Sequence, residues 1–590
     1  MKRWLLLLFL VPALLAAQYH TLDDRFTVAG YPSLQAWQQR AHYLREHILA
    51  SAGLLPMPEK TPLNAVVFEP QQRRDYSVFK VYFESLPGFF VTGNLYKPAG
   101  SGPFPAVLSP HGHWAYGRLE NTSLASVPGR AINLARMGFV VFTYDMIGYN
   151  DSRQLTHRFG GKRENLWGLS LAGLQLWNSI RSVDFLESLP EVDRNRIACT
   201  GASGGGTQTF LLAAVDDRVK VAAPVNMISL HMQGGCLCEN PPGLRIDTNN
   251  VELSACIAPR PLLMVSASGD WTGETMKLEY PEMRKFYALF GAEGRVHALQ
   301  IRAPHNYNQE SREAVYAWMA RWLQNAPADV KVTEKEFQTE KLRDLLVFYD
   351  RPLPPGAVTS EQLTQNWFSA ARRQLIASDP ALLQHALRHA LAAPDDTSSI
   401  TVAPPSGSSP GANKSGRAKT VVVLAGDSES GWGRPPALGS AQVRQVRFTP
   451  FNRDAASRIS HFETYNRSEA AQRVFDIAVE IANARKEGPA RLVLIADGEA
   501  GPAALLAQAV AQVDAAVINI GRFNNSSDDD FVEKLYIPGL RRAGDFQTAA
   551  QASRGRLLVH NAGDSFSLPG IKTEKRALTA DEVLKAAGLN

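Results

Sequence analysis

The sequence predicts an α/β protein: a mainly parallel sheet with helices on both faces, followed by a worn second copy of the same design. Three observations carry this. From residue 76 onward, continuous apolar strands alternate with helical stretches, the pattern of a sheet buried on both sides. A glycine-flanked serine, Gly201-Ala-Ser203-Gly-Gly205, stands at one strand-to-helix junction. Segments of the first half also recur, altered, in the second.

At 590 residues and 64.6 kDa the chain is too long for one core, since domains of roughly 100–200 residues are the norm. A composition of 45% hydrophobic and 20% charged residues excludes a largely disordered, collagen-like or multi-spanning chain. The net charge of +5 is spread without a long basic run, so no nucleic-acid partner is expected.

Lys2 and Arg3 precede an apolar run from Trp4 to Leu15 that ends in Ala16-Ala17. A charged start, a short apolar stretch and a small-residue exit predict a signal peptide over residues 1–17 and export to the periplasm or beyond. The run is short of the ~20 residues a spanning helix needs, so no membrane span is expected after cleavage. Residues 18–330 read as a first unit, 331–418 as a helical connector with a linker, and 419–590 as the second copy.

Within the first unit, Tyr76–Phe83 and Phe89–Tyr96 read as strands. Pro105–Ser109 and Gly138–Asp145 are further strands, with a helical pattern over Ala131–Met137 between them. A helix near Leu171–Leu189, a strand at Arg196–Thr200 and a helix after Gly206 follow. Strands at Val219–Val225, Pro261–Ser266 and His297–Ile301 and a helix at Arg312–Leu323 complete the alternation. Residues 358–392 look helical, Pro404 to Gly416 is Pro-, Ser- and Gly-rich, and a new strand starts at Thr420.

The serine motif lies after an apolar strand and before Thr207–Ala214, the context a nucleophile elbow demands. The sharp turn crowds the backbone, and flanking glycines remove the clash while the hydroxyl projects at a helix N-terminus. Ser203 is therefore the expected nucleophile. A serine needs a base, and the base needs an acid to orient it. In this architecture the chain order is Ser, acid, His, each at a strand's carboxyl end. Asp270 occupies the acid's place, with Asp247 and Glu274 as rivals. His305 occupies the base's place, and His297, at its strand's start, is weaker. The oxyanion hole should join the amide of Gly204 to one from Pro110–Trp114, expected to be that of His113. Only the backbone amide is required there, so the His113 side chain is free to point elsewhere.

The four cysteines are Cys199, Cys236, Cys238 and Cys256. They read as buried thiols or one local bridge, with all pairings open. Cys236 and Cys238 form a Cys-x-Cys, yet no Cys/His quartet with zinc spacing accompanies them in the sequence. No metal or organic cofactor is expected.

These residues carry a resemblance. The first half resembles an α/β-hydrolase of the acetyl xylan esterase-like group, near dienelactone-hydrolase and prolyl-oligopeptidase-type catalytic domains. It rests on Ser109-Pro-His-Gly-His, Tyr144-Asp-Met-Ile-Gly-Tyr-Asn-Asp-Ser152, Thr200–Thr209, Ala258-Pro-Arg-Pro-Leu-Leu and Ser268-Gly-Asp270, and spans roughly residues 75–325. It implies deacylation of plant polysaccharides or small esters. One departure falls after Asp145, where Met-Ile-Gly-Tyr-Asn replaces the usual Arg-Gly-x-Gly.

Pro242-Gly-Leu-Arg245 recurs as Pro538-Gly-Leu-Arg541, Arg196–Ser203 is shadowed by Arg491–Gly498, and Pro261–Asp270 by Arg556–Asp564. In the second copy Gly498 replaces the nucleophile, Ala496 and Ala500 replace the glycines, and no histidine follows Asp564. That copy reads as a degenerate α/β-hydrolase-like domain that packs on or gates the first. The whole predicts an exported serine ester hydrolase acting on a small ester or polysaccharide. The alternatives are a prolyl-oligopeptidase-type peptidase and a non-catalytic carbohydrate-binding protein. Against the peptidase, fewer than 60 mature residues precede the first strand and no blade-length repeat is present. Trp114, Trp167, Trp177 and Trp271 are candidates for stacking on sugar rings.

Overall fold

The computed structural model describes residues 19–394, 420–426, 441–488 and 490–589. The expected signal peptide and the Pro404–Gly416 linker lie outside the described residues. No helix among the described residues is long and apolar enough to cross a membrane.

Nine strands form the first sheet: β1 (Val66–Gln72), β2 (Tyr76–Leu86), β3 (Phe89–Pro98), β4 (Phe104–Leu108), β5 (Val140–Tyr144), β6 (Val192–Ala202), β7 (Val219–Val225), β8 (Leu262–Gly269) and β9 (Val296–Pro304). Their order is β1-β2-β3-β5-β4-β6-β7-β8-β9. The first three run as an antiparallel ribbon joined to β5, and from β5 onward every pairing is parallel. Alternate residues of the buried strands feed two cores, because successive side chains point to opposite faces. Ala106, Leu108, Val140 and Phe142 join the helices Leu171–Ser188 and Gly204–Val215 on one face. Val107 and Val141 join Val127–Arg136 and Gln309–Leu323 on the other.

The sequence reading missed the helix Leu34–Ser51 and the edge strand β1. The helix is amphipathic with a short buried stripe, Trp37, Ala41, Leu44 and Ile48, and β1 is interrupted by a proline and polar residues. Neither shows the long apolar run that made the central strands readable.

The second sheet holds β10 (Thr420–Ala425), β11 (Gln442–Gln445), β12 (Arg491–Ala496), β13 (Ala515–Asn519), β14 (Arg556–His560) and β15 (Lys572–Thr573). Its order is β11-β10-β12-β13-β14-β15, parallel throughout. That order repeats β5-β4-β6-β7-β8-β9 strand for strand. The second unit is thus a degenerate α/β-hydrolase-like copy of the parallel part of the first sheet, with nothing among the described residues matching the antiparallel ribbon.

Candidate active site

Ser203 joins β6 to the helix Gly204–Val215 with φ 58° and ψ −126°, a conformation costly for a residue with a side chain. Its amide donates to the Val225 carbonyl at 3.1 Å, anchoring the turn to β7. A Cβ on Gly201 would lie 2.5 Å from the Pro110 carbonyl oxygen, and one on Gly205 would lie 2.7 Å from the same atom. Both glycines are there because backbone passes where a side chain would stand. Gly498, at the corresponding place in the second copy, has φ 60°, the same left-handed sign without the hydroxyl.

The pairing of Gly269 with Pro304 at the ends of β8 and β9 sets the next two residues along, Asp270 and His305, side by side. His305 Nδ1 meets Asp270 Oδ2 at 2.7 Å. The other carboxylate oxygen accepts from the Thr272 amide at 2.8 Å and from its hydroxyl. The Asp270 side chain is only 2% exposed, so its negative charge is directed at the imidazole. His305 Nε2 makes no hydrogen bond among the described residues. Trp271 lies 4.4 Å from the His305 ring and Trp114 5.7 Å. The Trp114 indole also borders the elbow, 3.2 Å from where a Gly112 Cβ would stand, itself 3.1 Å from Ser203 Cβ. Ser203 and His305 therefore flank one indole.

The rival residues sit elsewhere. Asp247 pairs with Arg467 and Glu274 with Arg25, both partly exposed. His297 starts β9 against Trp318. Two of the tryptophans offered for sugar stacking are corrected: Trp177 is buried and donates to the Ser85 carbonyl, and Trp167 is buried between the two units. Only Trp114 and Trp271 border the candidate triad.

Gly204 opens its helix, so its amide belongs to the first turn, whose donors lack intrahelical partners. The Pro110–Trp114 loop passes directly above, held by His111. The Met146 amide donates to His111 Nε2 at 2.9 Å, and His111 Nδ1–H donates to the Gly112 carbonyl at 2.7 Å. Burial pushes the His111 pKa down to about 3, keeping this neutral tautomer. The buried Asp145 that opens the departing loop shares the buried Arg118, from the loop after β4, with Asp151.

The absence of a Cys/His quartet, read from spacing, is corrected by the structure. His113, His157, Cys236 and Cys238 offer ligand atoms that all lie within 4.8 Å of one another. All four cysteines are free thiols. A hydrogen bond from Cys238, opposed by burial and reinforced by His113 and His157, draws the Cys236 thiol down to about 2. The buried Glu239 carboxylate accepts from the Gly235 and Cys236 amides, both at 3.0 Å, and shapes their loop.

In the second copy the carboxylate at the matching strand end, Asp564, pairs with Lys575 at 2.7 Å, in the open. An ammonium cannot serve as a neutral base, so the constellation there has lost its chemistry.

The fold and the elbow with its acid–histidine pair define a serine hydrolase acting on carboxylic ester bonds. Residues 59–229 match the family model described as acetyl xylan esterase, and the first unit is acetyl xylan esterase-like within the α/β-hydrolase superfamily. YtaP of Bacillus subtilis (strain 168), whose name carries a provisional hydrolase assignment, is 25% identical over 289 residues, 45% of this chain and 95% of that protein. A solved structure titled Methylesterase BT1017 is 29% identical, covers 59% of this chain and 78% of its own, and superposes with a TM-score of 0.50.

Proposed function

We propose that this chain is an exported esterase that removes a small acyl or alkyl group from carbohydrate through an acyl-enzyme on Ser203. The observation that carries it is the half-buried Asp270–His305 pair, whose free Nε2 shares the Trp114 flank with the strained Ser203. Ser203 Oγ attacks the ester carbonyl and passes its proton to His305 Nε2. The amides of Gly204 and His113 hold the oxyanion, and Asp270 stabilises the imidazolium. Collapse expels the alcohol, which takes the proton from His305. Water then repeats the sequence and frees the acid.

The family description concerns an acetyl ester and the structural relative's title a methyl ester. The two differ in which side of the bond is the polymer, and both keep one side small. Trp114 and Trp271 supply flat apolar faces for the sugar side. Export rests on the charged, then apolar, then small-residue start of the chain.

The test offers the full chain short aryl esters, an acetylated xylan and a methyl-esterified pectin, and measures acetate and methanol release beside Ser203→Ala. Release by wild type alone supports the reading and identifies the small group. Failure on all three substrates, or peptide-amide turnover equal to ester turnover, overturns it.

A further inference from the structure

The four ligand atoms converge beside the elbow, all within 4.8 Å of one another. His113 Nε2 lies 3.2 Å from His157 Nε2 and 3.1 Å from Cys238 Sγ, and Cys236 Sγ lies 3.3 Å from His157 Nε2. A zinc ion with Zn–N of about 2.0–2.1 Å and Zn–S of about 2.3 Å needs edges of roughly 3.4 Å between nitrogens and roughly 3.6 Å between nitrogen and sulfur. The observed edges fall within about half an ångström of that figure. Pairwise hydrogen bonds would need the groups to meet only in twos, whereas here all four converge.

A second observation concerns the tautomer. His157 Nδ1 lies 2.6 Å from the Ile147 carbonyl oxygen. A carbonyl only accepts, so Nδ1 carries the proton and Nε2 turns its lone pair into the cluster. This is the arrangement that orients metal-binding imidazoles. Tyr149 packs edge-on to His157 at 5.0 Å and borders His113, walling the site. Two thiols with two imidazoles select a borderline-soft divalent ion, zinc above all.

We propose that His113, His157, Cys236 and Cys238 bind one zinc ion in a closed tetrahedral site that pins three loops at the carboxyl edge of the sheet. His113 follows β4, His157 follows β5, and the two cysteines follow β7. Four protein ligands leave no open position, so the ion holds structure and activates no water. The His113 imidazole lies against the elbow, its Cε1 2.6 Å from where a Gly204 Cβ would stand. The ion thereby fixes the backbone whose amide faces the oxyanion; this last step rests on the proposed esterase reading.

The full chain, purified with reductant, is assayed for zinc by mass spectrometry. It is then exchanged with cobalt(II), whose thiolate charge-transfer and tetrahedral d–d bands report the ligands without any variant. One zinc per chain, those cobalt bands, and loss of both in Cys236→Ser and His157→Gln are expected. Stripping with a chelator should also lower the unfolding temperature. No zinc above the level of the Cys236→Ser/Cys238→Ser double variant, with no cobalt bands in wild type, overturns the proposal. A Cys236–Cys238 disulfide found by peptide mapping of protein prepared without reductant overturns it as well. Zinc without ester hydrolysis would sink the esterase reading alone, and ester hydrolysis without zinc would sink the metal site alone.

Discussion

The amide of Gly243 donates to the carbonyl of Glu463 at 2.7 Å, and the same bond recurs with the roles of the two units exchanged, from Gly539 to Asn165 at 2.8 Å. Two residues on, Arg245 donates to Thr464 at 2.9 Å and Arg541 to Leu166 at 3.1 Å. The guanidinium of Arg245 lies 5.8 Å over Tyr465 and that of Arg541 4.9 Å over Trp167. The repeated Pro-Gly-Leu-Arg is therefore a reciprocal clasp, each copy gripping the opposite unit. On the active side the clasp reaches the site: Thr464 donates to the Asn240 carbonyl at 2.9 Å, and Arg245 holds the Gln233 and Glu239 carbonyls. These brace both ends of the Cys236–Cys238 loop.

Thr464→Ala removes one buried hydrogen bond and leaves the Asn240 carbonyl without it. A loss of about 1 kcal/mol of stability is expected. Hydrogen exchange should accelerate at residues 234–240 more than elsewhere in the first unit, and uniform exchange would show that the clasp does not brace that loop.

A chain ending near Gln324 should fail to fold into an active enzyme. The Val347 and Phe348 amides donate to buried Asp151 at 2.8 and 2.9 Å, and the helix Ser360–Ala377 packs Leu363, Trp367 and Phe368 into the first core. Each such side chain contributes about 1.5–3 kcal/mol by leaving water. Circular dichroism and aryl-ester turnover of the shortened chain check this, and a folded, active product would contradict it.

Ser203→Ala should abolish ester turnover while retaining the fold. Ser203→Gly should also be inactive yet more stable than wild type by about 1 kcal/mol, because glycine relieves the strain of a positive φ at the elbow. Denaturant unfolding of the two variants side by side separates strain from chemistry.

Asp270→Asn keeps the shape beside Thr272 but presents an amide to the imidazole. A fall in kcat on the order of 10³–10⁴ with little change in KM is expected, as where an acid fixes the tautomer of a catalytic histidine. Steady-state kinetics on an aryl ester decide it.

His47 sits in the seam between the units and donates Nε2–H to the Gly243 carbonyl at 3.0 Å. Burial, aided by His389 and Arg40, holds its pKa down at about 3, against an ordinary 6.5. Between those values the unfolded chain binds the proton and the folded one does not. The stability is thus fully present above about pH 6.5 and is lost as pH falls toward 3, by about 1 kcal/mol per pH unit. Tyr43, His389 and Glu46 face the same seam. His47→Gln should flatten the acid limb of stability against pH, and an unchanged limb would refute this assignment.

The sequence by itself determined the alternation of central strands and helices, because strands buried on both faces must be continuously apolar. It also determined the elbow, since glycines at 201 and 205 are the residues that let backbone approach within 2.5–2.7 Å of where a Cβ would stand. Asp270 and His305 were legible because each follows a readable strand. The helix Leu34–Ser51 was not, because its buried stripe is narrow. Only the tertiary structure decided the rest. His113, His157, Cys236 and Cys238 follow three different strands, and no chain spacing encodes their meeting. Parallel pairing in the order β5-β4-β6-β7 brings the carboxyl ends of β4, β5 and β7 to one edge of the sheet. The Pro-Gly-Leu-Arg repeat was visible in the sequence, but a hydrogen bond from Gly539 to Asn165 exists only once two sheets have folded and packed.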